Sequence, residues 1–471
     1  MTIMEAVGGG GAPRLADGTS LGDLFDLDRR EVSLRVHHDP EIFEMEMERI
    51  FARSWLPVAH ESEIPNPGDF VRRYMGQDSC LVVRGDDGGI SVLLNACSHR
   101  GMSLCREEKG RAANFKCPYH GWAFGKDGRF MGAPFEKQMY GDQLRQEADR
   151  LRLVRAKTAL LGGMVFANWD ENAEDFQTYL GDFGWYLKAA LERTNRGLEA
   201  VGPPQRHIMR ANWKLLAEQL ADGYHARALH QSAGDMGTLG HNANDPASWG
   251  LIGINVSTPG GHTLRCIDMR VTYNFEGMSA EASPAERLAA VPPPGADAAM
   301  TREFPQNLSE DQIRLLADTP PLVMGLFPGT DFFTLMSVSG SEDGSHGPVM
   351  VARTWIPRSP ELFEMLTWIL VERDASDELR ERTKKTTIRN FGISGYIEQD
   401  DAEAWQGIQK VAQGPIGRRL TSKYQAQIGI VKPDDFGGGG DVHAGFSRDD
   451  AQWAWWRRYA EVMTAQEARG A

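Results

Sequence analysis

Cysteine is scarce in this chain. Five residues, Cys80, Cys97, Cys105, Cys117 and Cys266, are spread over 471 positions, too few and too scattered for a disulfide framework. No apolar run approaches the roughly 18 residues that a bilayer span requires. The amino terminus has no basic segment followed by an apolar stretch, so neither a membrane helix nor a secretory signal is expected. A reducing cytoplasm is the consistent compartment. Positive charge is short too: 51 Lys and Arg face 65 Asp and Glu, a formal net charge of −14. That balance argues against nucleic acid as a partner, because neutralising phosphates takes a basic face. It also means that an acidic ligand needs a local arginine to bind against the long-range field. No Gly-x-Gly-x-x-Gly follows a strand-like run, so no nicotinamide site is expected on this chain.

What is present is ordinary in bulk and specific in detail. Hydrophobic residues make up 41% and charged residues 25%, a globular composition, and the length allows two or three domains or one with an insertion. Two short loops, Asn95-Ala96-Cys97-Ser98-His99-Arg100-Gly101 and Cys117-Pro118-Tyr119-His120-Gly121-Trp122, each offer one thiolate and one imidazole, with 17 residues between His99 and Cys117. A Rieske [2Fe-2S] cluster needs this set: the two cysteines hold one iron and the two histidines the other. Structural zinc also takes two Cys and two His. Zinc fingers, however, pair like with like, whereas each loop here mixes the ligand types. Cys80 and Cys266 lie in apolar runs and read as small buried hydrophobes.

Residues 7–13, with their four consecutive glycines, read as flexible, and roughly the first twenty residues are expected to be poorly ordered. Apolar positions at helical spacing predict an amphipathic helix over 41–53. Between Trp55 and Trp169, short β-rich runs such as Cys80–Val83 and Ile90–Leu94, separated by Gly-containing turns, predict a small antiparallel domain with both Cys/His loops at hairpin tips. Beyond Trp169, helical stretches at 172–195, 212–230, 360–390 and 447–466 alternate with strand-like runs at Leu251–Val256, His262–Phe275, Leu322–Phe327, Phe332–Val338 and Val349–Ile356. The simplest packing is an α+β fold, an antiparallel sheet covered by long helices. The Ala- and Pro-rich stretch 276–320 reads as an irregular or partly helical excursion and residues 433–440 as a glycine-rich loop. Trp453, Trp455 and Trp456 read as packing for the terminal helix.

The run from Asn212 to His230 carries a second candidate site. His225 and His230 are five apart, about 140° around a straight α-helix. They can share a metal only if the helix widens into a π-type turn or ends between them, and Gly223 loosens this stretch. Asp222 lies three residues before His225 on the same helical face, where it can accept the ring N–H of a metal-bound imidazole. A carboxylate ligand must then come from elsewhere, and Gly395–Trp405, with Glu398, Asp400, Asp401 and Glu403, is the best source. Two His and one carboxylate leave positions open on Fe(II), the facial triad of non-haem oxygenases. Asp400 and Asp401 equally suit the acidic first turn of a helix.

The Cys/His pairs followed by Asn212-Trp213-Lys214 and Asp222-Gly223-Tyr224-His225-x₄-His230 resemble the large (alpha) subunit of the Rieske non-haem iron aromatic ring-hydroxylating oxygenases, over nearly the whole chain. The resemblance implies a Rieske domain at 52–170 inserted in a helix-grip catalytic domain, whose parts are 1–51 and 171–471. It implies that Cys97, His99, Cys117 and His120 hold the [2Fe-2S] cluster. His225, His230 and Asp401, the second aspartate of the Glu-x-Asp-Asp stretch, would hold a mononuclear iron. It makes Asp222 the carboxylate that bridges this iron to the cluster of a neighbouring subunit, facing His120. It further implies a head-to-tail trimer, capped by small beta subunits into an α3β3 hexamer. Electrons would come from NADH or NADPH through a reductase and a ferredoxin. The implied reaction is cis-dihydroxylation of an aromatic ring by O₂.

The six residues between Glu218 and His225, and Gly260-Gly261-His262 before Arg265-Cys266-Ile267-Asp268, are similar to the benzoate, salicylate and terephthalate branches. They lead us to expect an aromatic carboxylate met by Arg210, Arg227 or Arg265. Gln219 departs from the family's usual asparagine. The alternatives are a neutral aromatic or polyaromatic hydrocarbon, monohydroxylation or demethylation and, in a different class, a Rieske electron carrier without oxygenase activity.

Overall fold

The computed structural model describes residues 13–235, 253–269, 278–279, 281–337, 347–426, 429, 436–445 and 447–465. The chain forms two units, Phe51–Phe176 and a larger one made of Met1–Ile50 with Gln177–Ala471.

The smaller unit is built from antiparallel sheets. Strands Ile90–Leu94, Asp78–Arg84, Asp69–Met75 and Lys109–Arg111 lie in that order in one sheet, and Phe130–Gly132, Ala123–Phe124 and Phe115–Lys116 make a second. A third joins Lys157–Leu161 and Met164–Asn168 to Leu56–His60. Phe70, Leu81, Val83, Leu93, Phe115, Phe124 and Phe130 form one apolar core, and Cys97, Cys117 and Trp122 are packed into it.

The larger unit is a long antiparallel sheet with helices against it. Its central hairpin, Gly347–Ser359 and Leu362–Glu372, is flanked on one side by Thr330–Ser337, Pro321–Leu326, Thr263–Cys266, Ile254–Ser257 and Asp441–Ala444, and on the other by Leu198–Ala200 and Gln205–Met209. Helix Asp377–Phe391 packs on Gly347–Ser359, and helix Asp450–Thr464 packs on Ile254–Ser257. This mixed architecture is the expected α+β class.

Several elements differ from the sequence reading. The first half of the helix expected at 360–390 is the strand Leu362–Glu372. Residues 363–372 are buried on both faces, so its apolar run carries no two-residue alternation to separate it from a helix. The helix expected at 172–195 is broken into Phe176–Leu180 and Phe183–Leu191 by Gly181 in the left-handed region. Strand Asp441–Ala444 was not expected. The helix over 41–53 starts as Pro40–Glu46 and finishes as a π-turn, Met47–Phe51. Pro13–Ser20, expected to be disordered, folds back through a bridge between Arg14 and Ser20. Residues 1–12, Leu251 and Ile252, most of the expected strand beyond Cys266, and 433–435 lie outside the described residues.

A buried charge pair anchors the helix that leads to the candidate site. Asn212 caps helix Trp213–Gln219 by accepting from the Lys214 N–H. Lys214 Nζ then meets Glu46 Oε1 at 2.5 Å, both side chains fully buried. Trp213 Nε1 donates to the other Glu46 oxygen at 2.8 Å, and the Tyr459 hydroxyl donates to Glu46 as well. A buried pair persists only when its remaining hydrogen-bonding positions are filled in this way.

Candidate functional site

The two Cys/His loops share one backbone design. The Cys97 N–H donates to Met102 O and the Gly101 N–H to Cys97 O, each 2.8 Å; the Cys117 N–H donates to Trp122 O at 2.7 Å and the Gly121 N–H to Cys117 O at 2.9 Å. Gly101 and Gly121, four residues after each cysteine, have φ of +72° and +75°, a region that glycine enters without cost. A Cβ at Gly121 would in addition stand 2.7 Å from Pro134 Cγ. His99 and His120 lie with ring centroids 4.8 Å apart, and the His99 ring stacks on Trp122 at 4.5 Å. His99 Nδ1 is buried without a hydrogen-bond partner, as an atom reserved for a metal would be. Burial pushes the Cys97 thiol up, and the neighbouring Cys117 adds to the effect, so a metal is needed to hold the Cys97 sulfur as a thiolate. Among the described residues the side chains that converge on a single point as a one-metal site requires are His225, His230 and Asp401.

The second site forms where a helix stops. Trp213–Gln219 ends, residues 220–224 turn, and a short helix, His225–Leu229, follows with His230 at its C-cap (φ −98°, ψ 27°). The two histidines are therefore brought together by a helix end and not by a π-type widening. Their rings meet edge to face at 5.3 Å. Asp401, in the first turn of helix Glu398–Gln413, places Oδ1 3.7 Å from His225 Nε2 and 3.4 Å from His230 Nε2. Ligand atoms each about 2.1 Å from one ion stand roughly 3–4 Å apart, so the three fit a shared metal.

Both imidazoles donate Nδ1–H to a carboxylate. His225 donates to Asp222 Oδ2 at 3.1 Å and His230 to Asp400 Oδ2 at 3.3 Å, which leaves each Nε2 lone pair for the metal. Burial pushes the Asp222 carboxyl up, but the His225 hydrogen bond, with His225 and Arg265 charge, holds it below the usual range. Asp400, weighed from sequence both as a source of the carboxylate ligand and as a helix-start acid, instead faces the Nδ1 side of the second histidine and orients it.

Beside this site is a cavity of about 120 Å³ lined by Leu216, Leu220, Leu322, Val323, Phe333 and Phe391, among others. An apolar cavity of about 150 Å³ takes up benzene. Two arginines also line it. Arg353 is clamped by Asp331 through both carboxylate oxygens and by Glu398 Oε2 at 3.0 Å. Arg265 donates to the Asp222 carbonyl at 2.5 Å, and burial draws its guanidinium down to about 10 against the fields of Asp222, Asp401 and Asp331. Arg210 is exposed, and the Arg227 side chain lies outside the described residues. A larger cavity, about 440 Å³, lies by His207, Glu398 and Lys410 and contains none of the three converging ligands.

One turn before Asp222, Glu218 accepts hydrogen bonds from Tyr424 Oη at 2.7 Å, Trp456 Nε1 at 3.2 Å and Gln452 Nε2 at 3.3 Å. Burial pushes its carboxyl up to about 7 from 4.5. Between those values the folded chain holds a proton that the unfolded chain releases, so stability falls as pH rises through this window. The Tm of Glu218→Gln is expected to fall less between pH 5 and pH 8 than that of the unsubstituted protein, read by scanning calorimetry; parallel curves would contradict the assignment.

The profile of the Rieske [2Fe-2S] domain matches residues 54–150. Chlorobenzene dioxygenase subunit alpha of Cupriavidus sp. (strain PS12) is 33% identical, covering 94% of this chain and 93% of its own length. The chain belongs to the Rieske non-haem iron aromatic ring-hydroxylating oxygenases, as an alpha subunit. Benzene 1,2-dioxygenase subunit alpha of Pseudomonas putida (strain ATCC 700007 / DSM 6899 / JCM 31910 / BCRC 17059 / LMG 24140 / F1) is 34% identical over 84% of this chain and 82% of its own. The crystal structure of naphthalene 1,2-dioxygenase from Rhodococcus sp. bound to indole superposes with a TM-score of 0.82 at 32% identity, covering 93% of this chain and 95% of that one. This oxygenase is thus an oxidoreductase that hydroxylates aromatic rings. It has a [2Fe-2S] domain, works with mononuclear iron and draws electrons from NAD(P)H through a reductase. The electron-carrier alternative falls away. The carboxylate branch finds no support: these relatives are named for uncharged aromatics, and the cavity's two arginines already face carboxylates or carbonyls of the chain.

Proposed function

We propose that this oxygenase subunit cis-dihydroxylates a neutral aromatic hydrocarbon. The observation that carries the reading is the convergence of His225, His230 and Asp401 beside an apolar, ring-sized cavity whose Arg353 is already engaged by Asp331 and Glu398. In this reading Cys97, His99, Cys117 and His120 hold the [2Fe-2S] cluster within a Rieske domain at 52–170, and His225, His230 and Asp401 hold iron within the catalytic parts, 1–51 and 171–471. The bound iron supplies the spin-allowed route by which O₂ reacts with a closed-shell ring. The chain's own work is to keep three ligands on one side, to hold both imidazoles in the Nε2-free tautomer through Asp222 and Asp400, and to exclude water with Leu216, Leu220 and Phe333.

Asp222 is assigned as the carboxylate through which electrons arrive from a neighbouring subunit's cluster. Its side chain keeps 20% of its surface exposed, enough to meet a partner. That assignment carries with it a head-to-tail trimer, with beta subunits completing an α3β3 hexamer and a ferredoxin or reductase as donor. Among the described residues no helix is long and apolar enough to cross a membrane, which accords with a cytoplasmic site of action. Oxygen uptake by the oxygenase reconstituted with a reductase and ferredoxin is expected with benzene, biphenyl or naphthalene and to be at background with benzoate. Faster uptake with benzoate would reverse the assignment.

A further inference from the structure

Gln219 is the last residue of helix Trp213–Gln219, and its surroundings give the side chain a single orientation. Trp405, buried and one turn beyond Asp401 on the same helix, donates its indole N–H to Gln219 Oε1. On the opposite side Gln219 Nε2 stands 2.6 Å from Asp401 Oδ1 and 3.3 Å from His225 Nε2. An indole can only donate and an ionised carboxylate can only accept. Flipping the amide would set donor against donor at Trp405 and acceptor against acceptor at Asp401, so the NH₂ must face the metal site.

That group has two hydrogens. One is used by Asp401 Oδ1. The other points toward His225 Nε2, whose lone pair is committed once His225 binds iron. We propose that Gln219, oriented by Trp405, is a positioning residue: one N–H steadies the Asp401 ligand while the other is offered to whatever occupies iron's open positions. The proposal rests on the mononuclear-iron assignment above and adds to it a fixed hydrogen-bond donor beside the metal. Glutamine's extra methylene lets the amide reach Asp401 from a helix that stops at Gln219, before the turn at 220–224. A donor fixed in advance in a dry site favours developing negative charge without reorganising.

The test uses the full holoenzyme, prepared anaerobically, with nitric oxide as a probe of the open positions. Iron content is measured first, then the exchangeable-proton coupling in the electron–nuclear double resonance spectrum of the S = 3/2 adduct, in H₂O against D₂O. The unsubstituted protein is expected to show an exchangeable coupling that Gln219→Met abolishes and Gln219→Asn partly restores. Hydrogen peroxide released per O₂ consumed should rise about ten- to a hundredfold in Gln219→Met. If Gln219→Met loses its iron, Trp405→Phe, which keeps the amide but frees it to turn, should show a weakened coupling. An unchanged coupling in Gln219→Met, or in Trp405→Phe where that variant must be used, would overturn the proposal. Absence of any S = 3/2 adduct in the unsubstituted protein would instead sink the iron assignment, and this inference with it.

Discussion

Asp401→Ala is expected to leave the purified protein without mononuclear metal and to cut product formation by about a thousandfold, equivalent to about 4 kcal/mol of barrier. Asp401 is the only anion among the three converging ligands, and its Oδ1 lies within 3.7 Å of one Nε2 and 3.4 Å of the other. Removing it leaves two neutral imidazoles, a pair too weak to retain a divalent ion through purification. The Cys/His loops belong to a different unit with a core of its own, so the [2Fe-2S] electron paramagnetic resonance signal should persist at full intensity. Metal analysis beside that spectrum separates loss of one ion from general unfolding. Iron content in Asp401→Ala equal to that of the parent would remove the carboxylate from the ligand set.

Asp222→Asn should slow reoxidation of the reduced cluster by about ten- to a hundredfold in a single turnover with substrate and O₂. Size is conserved, and the amide oxygen can still accept the His225 N–H that reaches Oδ2 at 3.1 Å; the amide NH₂ then replaces Oδ1, so the backbone bond from Tyr224 at 2.6 Å is given up while the metal-facing histidine keeps its partner. Iron content should therefore stay near that of the parent, and the cluster spectrum should not change. What is lost is a charge at the partly exposed junction where a second subunit's histidine would dock. Stopped-flow absorbance of the cluster reads the rate directly. Reoxidation at the parent rate would place the electron route elsewhere.

Legibility varied with how far a feature depends on residue type at a fixed offset. The Cys/His loops were readable because the cluster dictates two ligand types, and each loop also dictates a glycine four residues after its cysteine. The pairing of His225 with His230 was readable only as a choice between two backbone solutions, since five-residue spacing says that a regular helix fails and not how it fails. The structure takes the second, a helix end, because the chain turns at 220–224 before resuming at His225. Strand Leu362–Glu372 was hidden by burial on both faces, which erases the alternation that marks a strand. Asp441–Ala444 was hidden by its four-residue length. The carboxylate expectation rested on nearby arginines, and it finds no support among the relatives. Arg265 is a cation near the site, but sequence cannot reveal that Asp222, Asp401 and Asp331, far apart along the chain, all bear on it.

The Glu46–Lys214 pair sets an order of events during synthesis. Its satisfaction depends on Tyr459, far along the chain from both partners, so the larger unit cannot close its interior until helix Asp450–Thr464 has been made. The smaller unit is contiguous from Phe51 to Phe176 and can collapse as soon as that stretch emerges, since domains generally fold as units. Iron–sulfur insertion is therefore free to precede completion of the site it will serve, and deletion of helix Asp450–Thr464 should yield a chain that is red but inert.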